Sequence, residues 1–174
     1  MAATFKLIQK TELTSTTSTI TFSAIPQTYD DLYLVVAAAS NNSGRSSLRV
    51  SFNGYTGNAP EGVEFAGYGT SIQGYRNTGA SGEFYIYPGI ASTVNTGQGG
   101  CEIYMPRYTS SSTFMPIVYN SVVEENGNTG QNVLLGGAVI YNYSVAKTSI
   151  GLALFSGATF SANSGFYLYG IKNS

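Results

Sequence analysis

The sequence predicts an all-β chain folded as an antiparallel β-sandwich, and three observations predict it. Apolar and polar residues alternate with period two in one segment after another. Clusters of Gly, Asn and Pro separate these segments at ~8–20-residue intervals. β-branched residues and tyrosines fill the periodic stretches, and none of them reads as a helix. Two sheets packed face to face explain the alternation, because each strand then has a core face and a solvent face. The expectation is about nine strands in jelly-roll order, forming a single domain over residues 1–174.

Each element follows from its own residues. Thr4–Lys10 puts Phe5 and Leu7 on one face and Lys6 and Lys10 on the other. In Thr17–Ser23, Ile20 and Phe22 point inward. Ile25-Pro26-Gln27-Thr28 forms a corner, since proline lacks a ladder donor and holds its predecessor extended. Leu32–Ala39 is apolar on both faces and predicts a central, doubly covered strand. Ser47–Asn53 alternates Leu48, Val50 and Phe52 with Arg49, Ser51 and Asn53, and Asn53-Gly54 marks a tight turn. Residues 54–82 are the least regular and read as a long excursion with a short helical turn near Pro60–Phe65. Strands resume at Glu83–Pro88 and Gly100–Met105, and Thr113–Val123 contains Pro116, which suggests an edge or a bulge. Asn126–Gly130 is a turn. Asn132–Tyr143 carries Gly136-Gly137, which suggests a bulge or a close backbone approach. Ser149–Ser156 and Gly165–Lys172 complete the series.

Composition narrows the function. The chain has no histidine, one cysteine and two aspartates, so the usual proton shuttle and the commonest zinc ligands are missing. An enzyme is therefore not expected, and neither is a cofactor. Charged residues make up 10% of the chain and the net charge is −1, which disfavours binding to a phosphate backbone. No apolar run is long enough to span a bilayer as a helix. Met1–Lys6 lacks a charged segment followed by an apolar one, so no secretory signal is read and synthesis in a cytoplasm is expected. A low net charge also permits association, which favours a chain that works in an assembly.

Few residues read as chemical candidates. Asp30-Asp31 is the one acidic pair with a cation-ligand reading, set against a turn or a guarded strand start. Glu124-Glu125 would need a facing carboxylate such as Glu64, Glu83 or Glu102 to act on a glycosidic bond. Cys101 alternates with Ile103 and Met105 and reads as buried and inert. The tyrosines are the main lead: Tyr68, Tyr75, Tyr85, Tyr87, Tyr104 and Tyr108 fall among glycines and polar residues in the middle third. Tyr85 and Tyr87 share a face opposite Phe84 and Ile86, and Tyr167 and Tyr169 repeat the arrangement. These six tyrosines would line the rim of the core, cover a subunit interface, or stack on a glycan.

The opening Phe5-Lys6-Leu7-Ile8, followed by Thr19-Ile20-Thr21-Phe22-Ser23-Ala24-Ile25-Pro26-Gln27-Thr28-Tyr29-Asp30-Asp31-Leu32-Tyr33-Leu34, resembles the start of small virion proteins of tailed bacteriophages. The ending Ser164-Gly165-Phe166-Tyr167-Leu168-Tyr169-Gly170-Ile171-Lys172 resembles their final strand. The matches cover the first and last fifths of the chain. The resemblance implies a virion structural protein, either a capsid cement or decoration protein or a tail or fibre component. With neither heptads nor collagen-like triplets, the cement reading is preferred. Its implied partners are copies of itself, as a homotrimer, and the major capsid protein or other virion proteins.

Overall fold

The computed structural model describes residues 4–68, 70–92, 99–124 and 132–173. Within them the chain forms two packed sheets, and all but one of the strand pairings are antiparallel. The strands are β1 (Thr4–Glu12), β2 (Thr19–Phe22), β3 (Asp31–Ala37), β4 (Ala39–Ser40), β5 (Ser46–Phe52), β6 (Glu61–Tyr68) and β7 (Ser71–Thr78). They continue with β8 (Glu83–Ser92), β9 (Gly99–Pro106), β10 (Met115–Val123), β11 (Val133–Tyr141), β12 (Ile150–Leu154) and β13 (Gly165–Lys172). A single three-residue 3-10 turn, Phe155–Gly157, is the sole helical element among the described residues.

One sheet has eight strands in the order β1-β13-β3-β9-β10-β11-β6-β7, and the other has five in the order β2-β12-β5-β8-β4. Their inner faces interdigitate. Leu34, Ile103, Ile117 and Leu168 of the larger sheet meet Leu48, Val50, Phe84, Ile86 and Leu152 of the smaller, and all of these are buried. The expected all-β sandwich is the fold, with more strands than the sequence suggested.

Several expectations need correction. Residues 54–82 hold no helical turn near Pro60–Phe65; Glu61–Tyr68 is a strand, paired to β7 in an unbroken register. Its pattern is inverted, with Val63 and Phe65 facing out while Glu64 and Ala66 face in, so polarity misleads about the core side. Pro116 sits on neither an edge nor a bulge. It lies near the start of central strand β10, before the first pair with β9 at Val118, where a missing donor costs no ladder bond to that neighbour. Gly136-Gly137 makes no bulge, since β11 keeps register with both neighbours. What approaches is a side chain, not backbone: a Cβ on Gly137 would lie 2.5 Å from Tyr119 side-chain atoms. The Leu32–Ala39 stretch divides at Ala38, with β3 central in the large sheet and β4 crossing to the small one. Only its inner face is fully covered, Tyr33 and Val35 being half-buried. The Asn126–Gly130 turn and Glu125 lie outside the described residues.

Other details match the sequence. Ile20, Phe22, Leu48, Val50 and Phe52 are buried. Asn53 and Gly54 both take positive φ, 54° and 63°, the geometry a tight primed turn requires.

Candidate interaction surface

Register fixes which residues share the outer face of the eight-stranded sheet. Residues directly opposite on paired strands lie on the same side. Phe5 and Leu7 of β1 sit opposite Ile171 and Tyr169, and Tyr169 sits opposite Tyr33, which faces Tyr104 and then Val118. Val118 sits opposite Ala138, Ala138 opposite Val63, and Val63 opposite Arg76. Val122, Leu134, Phe65 and Ile72 extend the same face.

This face is apolar and bare. Ile72 is 82% exposed, Leu134 66%, Phe65 61% and Val63 55%, with Phe5, Leu7, Val118, Val122 and Ile140 also exposed. Antiparallel sheets that face water alternate apolar-in with polar-out, so a strand apolar on both sides is built to be covered on both. Strands β6, β11 and β10 form a trough of about 710 Å³ here, lined by Val63, Pro116, Val118, Ala138 and Ile140, with Glu61 and Arg76 at its flank. Arg76 pairs with Glu61 at 3.3 Å on one side and Lys10 with Glu12 at 3.1 Å on the other, while Glu102 of β9 stands exposed in the middle of the face, opposite Val35 and Asn120. The opposite surface of the protein differs. The outer face of the five-stranded sheet presents Thr19, Thr21, Arg49, Ser51 and Glu83, with Arg49 and Glu83 joined by two bonds of 2.8 and 2.6 Å.

The six tyrosines separate. Tyr68, Tyr75 and Tyr87 gather where β6, β7 and β8 meet, and the Arg45 guanidinium lies 5.7 Å from the Tyr68 ring centroid. Burial, together with a hydrogen bond to Tyr75, pushes the Tyr68 phenol up to about 12. Tyr85 and Tyr87 line an adjacent notch of about 260 Å³ with Ser47, Glu64, Arg76, Asn77 and Phe155. Tyr85 meets Phe155 edge-on at 5.7 Å. Buried Glu64 accepts from the Tyr119 hydroxyl at 2.9 Å and from Asn77 Nδ2 at 3.2 Å, while desolvation raises its pKa. The other two tyrosines lie elsewhere. Tyr104 is on the large sheet's outer face, its hydroxyl donating to Asp31 at 2.8 Å. Tyr108 is 1% exposed in the core and donates to the Pro26 carbonyl.

The remaining candidates resolve into structure. Asp31 is buried and accepts from Tyr104, from the Arg107 amide at 2.9 Å and from Asn173 Nδ2 at 3.1 Å. Asp30 accepts from Lys172 Nζ at 3.0 Å and from the Asn173 amide at 2.6 Å. Protein donors thus occupy both carboxylates, which staple the corner after Pro26 to the end of β13. Glu64, Glu83 and Glu102 lie on three different sheet faces, and the Glu124-Glu125 pair they would have to face is half outside the described residues, at Glu125. Cys101 is buried, and burial pushes its thiol pKa up.

The residues sequence reasoning missed are Val63, Phe65, Ile72, Val118, Val122, Leu134 and Ile140. Their signal was present in β10 and β11, where apolar side chains occupy both alternating sets. The chain matches no protein-family model, no curated protein and no solved structure.

Proposed function

We propose that this chain is a virion structural protein, a capsid cement or decoration protein of the kind its termini resemble, acting as a homo-oligomer. The observation that carries the proposal is the bare apolar face of the eight-stranded sheet. Strands ~4.8 Å apart and about eight residues long at ~3.3 Å per residue give that face roughly 900 Å². A standard interface takes about 800 Å² from each partner. Subunit contacts combine an apolar core with a polar rim, and the apolar core here is the β6, β10 and β11 part of the face, bordered by Glu102 and by Arg76 with Glu61. Copies of this chain are the occupants assigned to that face, with a trimer as the closed form, and the more polar remainder meets the major capsid protein. Several weak shell contacts then act together through avidity.

Jelly-roll wiring belongs to the same proposal. With the β6–β7 and β10–β11 hairpins and the two-residue β4 set aside, β1-β13-β3-β9 lie over β2-β12-β5-β8. The chain then passes between the sheets as two nested Greek keys do.

A second reading has its own support. The notch beside Tyr85, Tyr87 and Phe155 combines aromatic rings with a carboxylate, an amide and a guanidinium, the groups that stack on and hydrogen-bond a sugar. A tail or fibre module binding a host glycan would use it.

Co-sedimentation with expanded phage capsids and a glycan array, run on the same preparation, decide between the two. The cement reading expects saturable capsid binding and a silent array. Glycan binding without capsid binding would replace it with the second reading.

A further inference from the structure

Four strands end the two sheets, and three of them are protected. β2 has four residues and β4 has two. β1 carries a register shift between Leu7 and Gln9 and displays Lys6 and Lys10. Short length, bulges and lysines are the devices that keep sheet edges from pairing. β7 has none of them. Its eight residues, Ser-Ile-Gln-Gly-Tyr-Arg-Asn-Thr, pair with β6 without a break and include neither proline nor lysine. Ser71 through Arg76 are all exposed.

We propose that β7 pairs antiparallel with β7 of a second copy about a two-fold axis at Gly74, joining two eight-stranded sheets into one. Register selects this axis. Opposed residues must share a face, so a central residue has to face its own copy. Centring on Gly74 uses the strand from Ser71 to Asn77. It sets Ile72 opposite Arg76 of the second copy, Gln73 opposite Tyr75 and Ser71 opposite Asn77, with no like charges opposed. Gly74 also suits the junction, because the Phe65 ring already covers it: a Cβ built there would lie 3.6 Å from that ring. Pairing brings Phe65 and Ile72, two of the barest apolar residues, toward their counterparts on one continuous outer face. Glycine at a sheet edge covered by a neighbouring aromatic is a recognised way of stabilising such a position.

The inference does not rest on the virion reading. A two-fold edge contact joins copies in pairs and is separate from any three-fold contact made by the sheet face.

The test is Gly74→Cys under mild oxidation, read on a non-reducing gel. Paired residues in an antiparallel ladder have Cα atoms ~4.5–5.5 Å apart, inside the ~4.4–6.8 Å a disulfide spans. Room for the new side chain exists at Gly74, and buried Cys101 does not compete. The expected result is a covalent dimer formed at least ten times faster than in a Thr21→Cys control on the small sheet, about one decade of effective concentration. Adding Ile72→Lys to Gly74→Cys sets an ammonium opposite Arg76 of the second copy and should return cross-linking to the control rate. Ile72 is 82% exposed, so that change leaves the fold intact. Cross-linking no faster than the control, or unaffected by Ile72→Lys, would overturn the proposal. A Leu134→Asp variant that cross-links normally through Gly74→Cys would leave the edge contact standing even if the sheet-face contact failed.

Discussion

Lys147 is 1% exposed, and among the described residues no carboxylate pairs with it. Its ammonium donates to the carbonyls of Tyr143 and Val145 and lies 5.2 Å from the Tyr143 ring centroid and 5.8 Å from that of Tyr141. Burial lowers its pKa from 10.5 to about 8. The folded chain therefore binds this proton less well than the unfolded chain does. Between pH 8 and 10 the unfolded state holds this proton more fully than the fold does, so stability rises with pH across that window. Above pH 10 the trend reverses, because the Tyr33, Tyr68 and Tyr104 phenols are held protonated up to about 12 in the fold and that contribution is lost as they ionise. Melting temperatures at half-unit pH steps should show the rise, and Lys147→Met should flatten it from pH 8 to 10. A rise that survives the substitution would place its source elsewhere. Nothing in the sequence marks Lys147 as buried: it stands between Ala146 and Thr148 in a segment without alternation. The burial of Tyr108 is hidden from the sequence for a related reason. It lies just past the end of β9, where strand parity no longer tells which way a side chain points.

At the scale of elements, strands with clean alternation were legible. β5 and β12 put in the core the residues their pattern selects, since a single buried face leaves one register that works. The β6–β7 hairpin was illegible because its inward set includes Glu64 and Asn77 and its outward set includes Val63, Phe65 and Ile72. A buried carboxylate held by Tyr119 and Asn77 is a tertiary arrangement, and local polarity gives no sign of it. Substitution tests the face assignment directly. Val63→Thr and Phe65→Thr should change folding stability by no more than ~0.5 kcal/mol, as at surface sites. Leu152→Ala and Phe166→Ala, at 1% and 0% exposure, should each cost about 2–5 kcal/mol. Urea titration of the four variants checks both halves. A large loss at Phe65, or none at Leu152, would mean that the faces are reversed.

For the whole molecule, the fold class followed from periodicity and turn chemistry, while the location of the free apolar surface did not. The sequence directed attention to the tyrosines, and the structure puts a run of bare aliphatic residues on the outer face of β6, β10 and β11 instead. Period two reveals that a strand has two apolar faces; it cannot say which of them lies against the second sheet. Such a face is an aggregation hazard unless a partner covers it. The most direct test is the mass of the purified protein by light scattering, alongside a Phe65→Asp/Leu134→Asp variant. The native chain should be a multiple of 18.4 kDa at micromolar concentration, and the variant should be a folded monomer. A native protein that stays monomeric and soluble at high concentration would contradict the account.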